Sequence, residues 1–474
     1  MDTITITFPE VKVKVPIKDL TFDILEDMLF EILQNIARKV FEKTITDIDS
    51  YLRNKRERGK LKNTGKREKY FLTRFGDILY SRTRYKDQEN KSHYLLDEAL
   101  SISKNQRISL SRARIECFLS SLSSYREVVE GIGILIGGPR CHEAIRQSVI
   151  KEGKLLLEKQ EQKLKQIENL DYPDKEAPDT AYLEADATYI TLQKKGKERG
   201  GKMEVKIGVG YSGKEARYAT GKSKRLKEKF TFIGTGKSFM ERLSLLAEER
   251  LSLSKVKKVI FGGDGDSWIT SGIKDYFSSA TYILCLYHLY KKFKESLGRR
   301  KEEQKAIKDL LLSNQIDQGL SVIDQLIRNS QDLKEKENLV KLYTYISRNR
   351  QGITNQVRIK DQEIERAGAI ESNINKVIAS RFKKRGMSWS KPGALALLKI
   401  KETIINGEWD KWWETERERN IKVGKYKLPL PAAYFKKETE SSPIVELTIP
   451  ALRGPDQGKP WVGVLRKLSE VGYY

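Results

Sequence analysis

The chain has 474 residues, 33% of them charged and 38% hydrophobic, enough for two to four domains with a sizeable core. Its formal charge of +25 points to a polyanion partner, nucleic acid first. Only three cysteines (Cys117, Cys141, Cys285) and three histidines (His93, His142, His288) occur, with no CxxC pair, which excludes a disulfide framework and a zinc knuckle.

The start of the chain lacks the positive-then-apolar pattern of a signal peptide, and no stretch approaches the ~18 apolar residues of a membrane span. A cytoplasmic protein without a membrane partner is expected. Residues 1–17 alternate polar and apolar side chains (Ile4, Ile6, Phe8, then Val11, Val13, Val15), which predicts short strands or an extended arm. From Leu20 to Leu52, Phe22, Leu25, Leu29, Ile32, Ile36 and Val40 recur at three- and four-residue steps. That period predicts a long amphipathic helix, serving either as a core-facing element or as an oligomerisation seam. Residues 1–55 thus form a first region.

Residues 56–100 begin as a basic linker and continue as a β-hairpin: YFLTRF, a turn at Gly76-Asp77, then ILYSRTRY. Arg74, Arg82 and Arg84 lie on this hairpin, where they fit contact with a phosphate backbone. Residues 101–170 read as helical. Ser124 is placed to cap a short helix through Ile132, Gly131–Gly138 and Pro139 form a turn, and a long helix follows from Cys141. This is the outline of a helix-turn-helix, which any helical hairpin shares. DNA reading along Glu143–Lys151, with Arg140, Arg146 and Lys151, and plain helix packing both stay open.

The turn-rich stretch Asp171–Thr180 marks a boundary. Strands are expected in TAYLEADATYITLQ, in KMEVKIGVGYSG and around Phe230–Ile233, then a helix over Gly236–Leu251. A strand at Val259–Phe261, a helix over Trp268–Phe277 and a strand over Tyr282–Leu286 follow. Residues 289–365 are charged and helical with no visible strand. A helix over Ala369–Lys384 puts Glu371, Asn375, Ile378 and Phe382 roughly on one face. The tail, 406–474, holds six of the twelve prolines and four of the six tryptophans and is expected to be irregular.

Three strands, helix, strand, helix, strand and a final helix is the order of the ribonuclease-H-like fold. A multidomain α+β chain is therefore expected. Its α/β catalytic core would comprise 178–288 and 366–405, with the charged helical stretch 289–365 between the two parts and a mainly helical DNA-binding region ahead of them. In that topology the centre of the first strand neighbours the end of the fourth. Asp186 and Asp264 then meet, and Glu371 joins them from the final helix. Three carboxylates suit Mg²⁺, and two such ions can activate an attacking oxygen and stabilise a leaving oxygen in phosphodiester displacement. Each acid has a competitor. Glu184 shares the face of Asp186, Asp266 follows Asp264 where it could cap a helix, and Glu363 and Glu365 precede Glu371.

Three segments carry a resemblance: DATYI; GGDGDSWI followed by CLYHLYK; and GAIESNINKVIASRFKKRGMSWS. They resemble bacterial insertion-sequence transposases of the DDE class, in the Mutator-like superfamily, and closely its Lre-type insertion-sequence group. The resemblance spans about residues 60–400, and it implies that 289–365 is the all-helical insertion such transposases carry between the last strand and the final helix. It implies Asp186, Asp264 (rather than Asp266) and Glu371 as the catalytic acids, holding two Mg²⁺ or Mn²⁺ ions per active site. It also implies that His288 lies beside the acids, with Cys285 as an accessory residue, hydrogen-bonding the scissile phosphate or the leaving 3′ oxygen. Arg381, Lys383, Lys384 and Arg385 are expected to hold phosphates near the metals.

The implied activity is transposition. Water cuts a phosphodiester at the element's end, and the freed 3′-OH attacks target DNA. Terminal inverted repeats, target DNA and further copies of the chain, in a homodimer or higher oligomer, are the expected partners. The alternatives are a non-catalytic DNA-binding regulator and a nuclease on the same fold.

Overall fold

The computed structural model describes residues 20–56, 58–138, 140–173, 175–193, 200–216, 224–361, 367–383 and 386–423. The expected strands over 1–17, the rival acids Glu363 and Glu365, and the cations Lys384 and Arg385 lie outside the described residues.

Helix α1 (Phe22–Lys55) starts at Thr21, whose side chain accepts from the Ile24 amide. Only its second half packs inward, through Ile45, Asp49 and Leu52. In its first half Phe22 is 77% and Leu33 63% exposed, so that stretch has no core behind it. Strands β1 (Lys62–Thr73) and β2 (Gly76–Lys86) form the hairpin. Their register pairs Thr73 with Gly76, so the turn is Arg74-Phe75 and not Gly76-Asp77. Gly76, at φ 98°, is where the chain re-enters the strand, a conformation that favours glycine. The basic run expected as linker lies partly in β1, which begins at Lys62. Asp49 of α1 clamps the hairpin by accepting from the Thr83 amide (3.1 Å) and hydroxyl (2.6 Å). A short strand β3 (Ser92–His93) and helix α2 (Leu95–Ala99) complete this part.

Helices α3 (Leu110–Leu122), α4 (Tyr125–Leu135) and α5 (His142–Glu168) follow. Ser124 and Glu127 form a reciprocal capping box at the start of α4, which fixes that boundary.

The main sheet is built from β4 (Thr180–Thr191), β5 (Lys202–Tyr211), β8 (Phe230–Gly234), β9 (Lys258–Gly263) and β10 (Ala280–Leu284). Between β5 and β8 lies a small ribbon, β6 (Gly213–Ala216) with β7 (Lys224–Lys227), that the sequence reading did not foresee. The strand order is β10-β9-β4-β5-β8. β4, β5 and β8 are antiparallel neighbours, whereas β9 runs parallel to β4 and β10 parallel to β9. From Ala181 to Asp186 every residue of the central strand is buried, as a strand covered on both faces requires. Helices α6 (Phe239–Leu251) and α7 (Ser267–Tyr276) connect the strands and cover one face, with Leu243 and Ile269 in the same core as Phe261 of β9.

After β10 come five helices: α8 (Leu286–Leu297), α9 (Lys301–Leu312), α10 (Ile316–Asn329), α11 (Leu333–Arg348) and α12 (Arg350–Asp361). They enclose a core of their own, including Phe293, Leu311, Leu320 and Leu342. The chain then returns as α13 (Ile370–Ile374), a π-helical turn (Asn375–Ala379) and α14 (Ser380–Phe382). Two further helices, α15 (Lys391–Ile405) and α16 (Trp409–Val423), end the described part.

The second face of the sheet is covered by a mixed group of helices. Cys117 of α3, Val149 and Leu156 of α5, Leu397 of α15 and Trp412 of α16 share one core with Ile207 and Tyr211. Residues 101–170 therefore do not stand apart as a separate module. A Cβ on Gly153 would come within 2.4 Å of Ala396, so α5 and α15 touch backbone to backbone. The beginning of the tail is also corrected. Trp409, Trp412 and Trp413 are buried on a helix because that core needs large side chains there, so this stretch is not irregular.

Both sheet edges are closed by side chains, which prevents pairing with another strand. On β10, Asn355 and Gln356 of α12 donate to the carbonyls of Tyr282 (2.7 Å) and Leu284 (2.8 Å). On β8, Asn406 and Glu402 accept from the amides of Thr231 and Ile233, at 2.8 Å each. Among the described residues no helix is long and apolar enough to cross a membrane.

Candidate metal centre and phosphate cleft

In the β4–β9 register Glu184 faces Gly262, so two residues further on Asp186 and Asp264 stand side by side. Asp264 leaves the end of β9 into a turn made by Gly265 at φ 92°. That turn is gripped from the helical insertion. The Tyr345 hydroxyl donates to the Asp264 carbonyl (2.7 Å), and a Cβ on Gly265 would meet Asn349 at 2.5 Å. From the next strand, the Cys285 amide donates to the Gly263 carbonyl (2.8 Å). Cys285 is the N-cap of α8, which brings His288 to the same edge one turn later.

Asp186, Asp264 and His288 each offer a ligand atom within 4.8 Å of the others. His288 Nε2 lies 3.6 Å from Asp186 Oδ2. Asp186 Oδ1 accepts from the Ala187 amide (2.6 Å), and Asp264 Oδ1 from the Asp266 amide (2.9 Å). Burial, with the Asp264 charge beside it, pushes the Asp186 carboxyl up to about 7. Burial also raises Asp264, whereas it lowers His288. A divalent cation would relieve the crowding of these carboxylates, and two oxygen donors with one imidazole nitrogen suit Mn²⁺ and, through the oxygens, Mg²⁺.

Glu371 lines the same cavity, of about 1040 Å³, but stands back from the three closest ligand atoms. The π-helical turn decides what accompanies it. At 3.6 residues per turn, Lys383 would sit roughly 120° around the helix from Glu371. The wider turn at Asn375–Ala379 removes most of that offset, and Glu371, Asn375, Ala379 and Lys383 all line the cavity. Ile378 and Phe382, expected on the face of Glu371, are instead buried in the core.

A family model described as Uncharacterised protein family (UPF0236) matches residues 17–419. The chain belongs to UPF0236. A UPF0236 protein of Caldanaerobacter subterraneus subsp. tengcongensis is 24% identical over 406 residues, 84% of this chain and 81% of its own length; its name joins eleven locus designations. Another from the same organism is 24% identical over 407 residues, covering 84% of this chain and 82% of its own length. A UPF0236 protein in the vanSb 3′ region of Streptococcus gallolyticus is 21% identical over 397 residues, covering 82% of this chain and 85% of its own.

The cations expected on phosphates in this UPF0236 chain are placed very unevenly. Lys383 reaches the cavity and donates to the Thr188 hydroxyl. Arg381, beside it, is 3% exposed; it donates to the Ser120 carbonyl (2.9 Å) and stacks on Trp389. Arg82 is paired with Asp97 and stacked on Tyr94. Arg140 bridges Glu116 (2.7 Å), Ser148 and the Ala144 carbonyl. Each of these three guanidinium groups, expected at DNA, has its partners inside the protein. Arg84 donates to Thr64, and Arg146 is paired with Glu143 (2.7 Å). Arg74 at the hairpin turn and Lys151 on α5 are exposed and are not among the residues that line the cavity.

The cleft's own cations went unnoticed in the sequence. His288, Lys291, Lys292 and Glu295 of α8, and Lys341, Thr344, Tyr345 and Arg348 of α11, line the cavity. Each set has the i, i+3, i+4, i+7 spacing of one helix face, a signal present in the sequence. Asp266 is exposed at the cavity and makes no side-chain cap bond to α7. Cys285 is part-buried, and burial raises its thiol, which fits a packing role.

Proposed function

We propose that this chain is the transposase of an insertion sequence, with a ribonuclease-H-like core that cuts and joins DNA. The observation that carries the reading is the juxtaposition of Asp186 and Asp264 across β4 and β9, with Glu371 in the same cation-lined cavity. The sheet order, with three antiparallel strands and two parallel additions on the β4 side, supports it. So does the relative whose single name covers eleven loci, as expected of a sequence that copies itself within a genome.

Asp186, Asp264 and Glu371 would hold two divalent ions, Mg²⁺ or Mn²⁺, which supply activation of the attacking oxygen and stabilisation of the leaving oxygen. The chain's residues do the rest. Lys291, Lys341, Arg348 and Lys383 hold the phosphodiester in the cavity. His288, whose protonated form burial disfavours, hydrogen-bonds the scissile phosphate or the leaving 3′ oxygen. His288→Ala is expected to slow strand transfer about 10²–10³-fold, as removal of a transition-state hydrogen-bond donor does; full activity in a strand-transfer assay would contradict the role.

Joining two element ends calls for at least two copies, and the exposed apolar side of α1 offers a surface for pairing. The insertion helix α11 forms part of the DNA wall. Replacing Lys341 and Arg348 together by Ala is expected to weaken DNA binding and to lower the slope of log K against log salt by about 2, near 0.9 for each lost phosphate contact. A salt titration of DNA affinity measures this.

The deciding experiment incubates the purified chain with Mg²⁺ and DNA carrying the sequences that flank its gene. Cleavage that leaves a 3′-OH, followed by joined products, is expected. Cleavage without joining would indicate the nuclease, and binding without cleavage under Mg²⁺ or Mn²⁺ the regulator.

A further inference from the structure

Glu184 is a buried acid that the proposed chemistry does not use. It is 2% exposed, on the same face of β4 as Asp186 by the two-residue period of a strand. Its Oε1 accepts from the Tyr211 hydroxyl (2.7 Å) and from the amides of Gly368 (3.0 Å) and Ala369 (2.9 Å). Its Oε2 accepts from the Ile370 amide (3.1 Å). These three amides open the helical run that carries Glu371.

A helix start leaves amides without intrahelical partners, and a local Ser, Thr, Asp or Asn usually takes one of them. Here the N-cap is Ala369, which offers no side-chain cap, and Gly368 is at φ 141°. The capping carboxylate comes instead from the central strand, two residues from Asp186. On its other side Tyr211, stacked on Tyr182 at 5.1 Å, holds it in place. The chain entering this helix is thus tied to the strand bearing the first acid by several charge-assisted bonds, each stronger than an ordinary amide bond.

We propose that Glu184 is a positioning residue: by holding the amides of Gly368, Ala369 and Ile370 it fixes the start of the Glu371 helix against β4 and sets the separation of Glu371 from Asp186. The inference rests on the reading of Asp186, Asp264 and Glu371 as a metal centre. It assigns Glu184 no contact with metal or substrate, and it explains why a second acid sits beside Asp186 without joining it in the cavity.

The test uses Glu184→Gln in the full chain, with Tyr211→Phe as the comparison. Gln keeps the volume, but its NH₂ group faces backbone donors, so part of the cap is lost. Tyr211→Phe removes a donor to the same carboxylate and leaves the helix amides held. Two quantities are read: hydrogen exchange of the amides at 368–370 without metal, and Mn²⁺ affinity followed by electron paramagnetic resonance. In Glu184→Gln the amides are expected to lose protection and the Mn²⁺ dissociation constant to rise about tenfold. Tyr211→Phe is expected to stay within about twofold of wild type on Mn²⁺. Wild-type Mn²⁺ affinity in Glu184→Gln, or an equal loss in Tyr211→Phe, overturns the inference while the metal-centre reading stands. A wild-type chain that binds no Mn²⁺ overturns both.

Discussion

Asp186→Asn is expected to abolish metal-dependent cleavage, by at least about 10³-fold, beyond the 10–100-fold typical of losing an outer partner of a metal ligand. The same change is expected to make the metal-free chain more stable at pH 8. The reason is the cost of ionising a buried acid next to another acid. The Asp186 carboxyl lies at about 7 in the folded chain, above the 3.8 of an ordinary aspartate. Between those values the folded state keeps a proton that the unfolded state has released. Stability therefore falls as pH rises through that window, by at most about 1.4 kcal/mol for each unit. Asn carries no such charge. Thermal melts of wild type and variant in EDTA are expected to coincide near pH 4 and to separate by pH 8, with the variant higher. Adding Mg²⁺ or Mn²⁺ raises the wild type more than the variant and narrows the gap. A gap that ignores both pH and metal would contradict the assignment.

Arg381→Ala is expected to fail in a different way from loss of a phosphate contact. The guanidinium lies between Trp389, at 4.7 Å, and Tyr125, at 5.8 Å, and donates to the Ser120 carbonyl. Removing it leaves a buried carbonyl without its donor and a void between two rings. We expect a loss of about 3 kcal/mol or more, read from denaturant unfolding. The salt dependence of DNA binding by the folded fraction should not change. Lys383→Ala is expected to behave in the opposite way, with little change in stability and a salt slope lower by about 0.9. If Arg381→Ala lowered the slope and left stability intact, the buried placement would be wrong.

These two neighbours show what the sequence could carry. The five strands of the main sheet were legible because apolar β-branched and aromatic runs broken by glycines have few other uses. Asp186 and Asp264 were legible as a pair because strand order alone makes them neighbours. Which acid of each local pair mattered was not, since Glu184 and Asp186 share a face and differ only in what approaches them from residues 368–370. The π-helical turn was invisible, because nothing in Asn375–Ala379 marks one extra residue per turn. That turn carries Lys383 round to the cavity beside Glu371 and Phe382 into the core. The helices over 101–170 read as an independent unit because their apolar stripes say that something is covered but not what. The core that Cys117, Val149 and Leu156 share with Leu397, Ile207 and Tyr211 shows that they cover the sheet together with α15, which α5 touches at Gly153 and Ala396. The tryptophans of α16 misled in the same way, by suggesting a wrapped tail where a buried helix forms.

Counting bound Mn²⁺ on the full chain, with DNA from the element's ends present, tests the central assignment most directly. Two ions per protomer are expected for the wild type, with loss of at least one in Asp186→Asn and in Asp264→Asn. Equal Mn²⁺ binding by wild type and both variants would contradict a metal centre at the junction of β4 and β9.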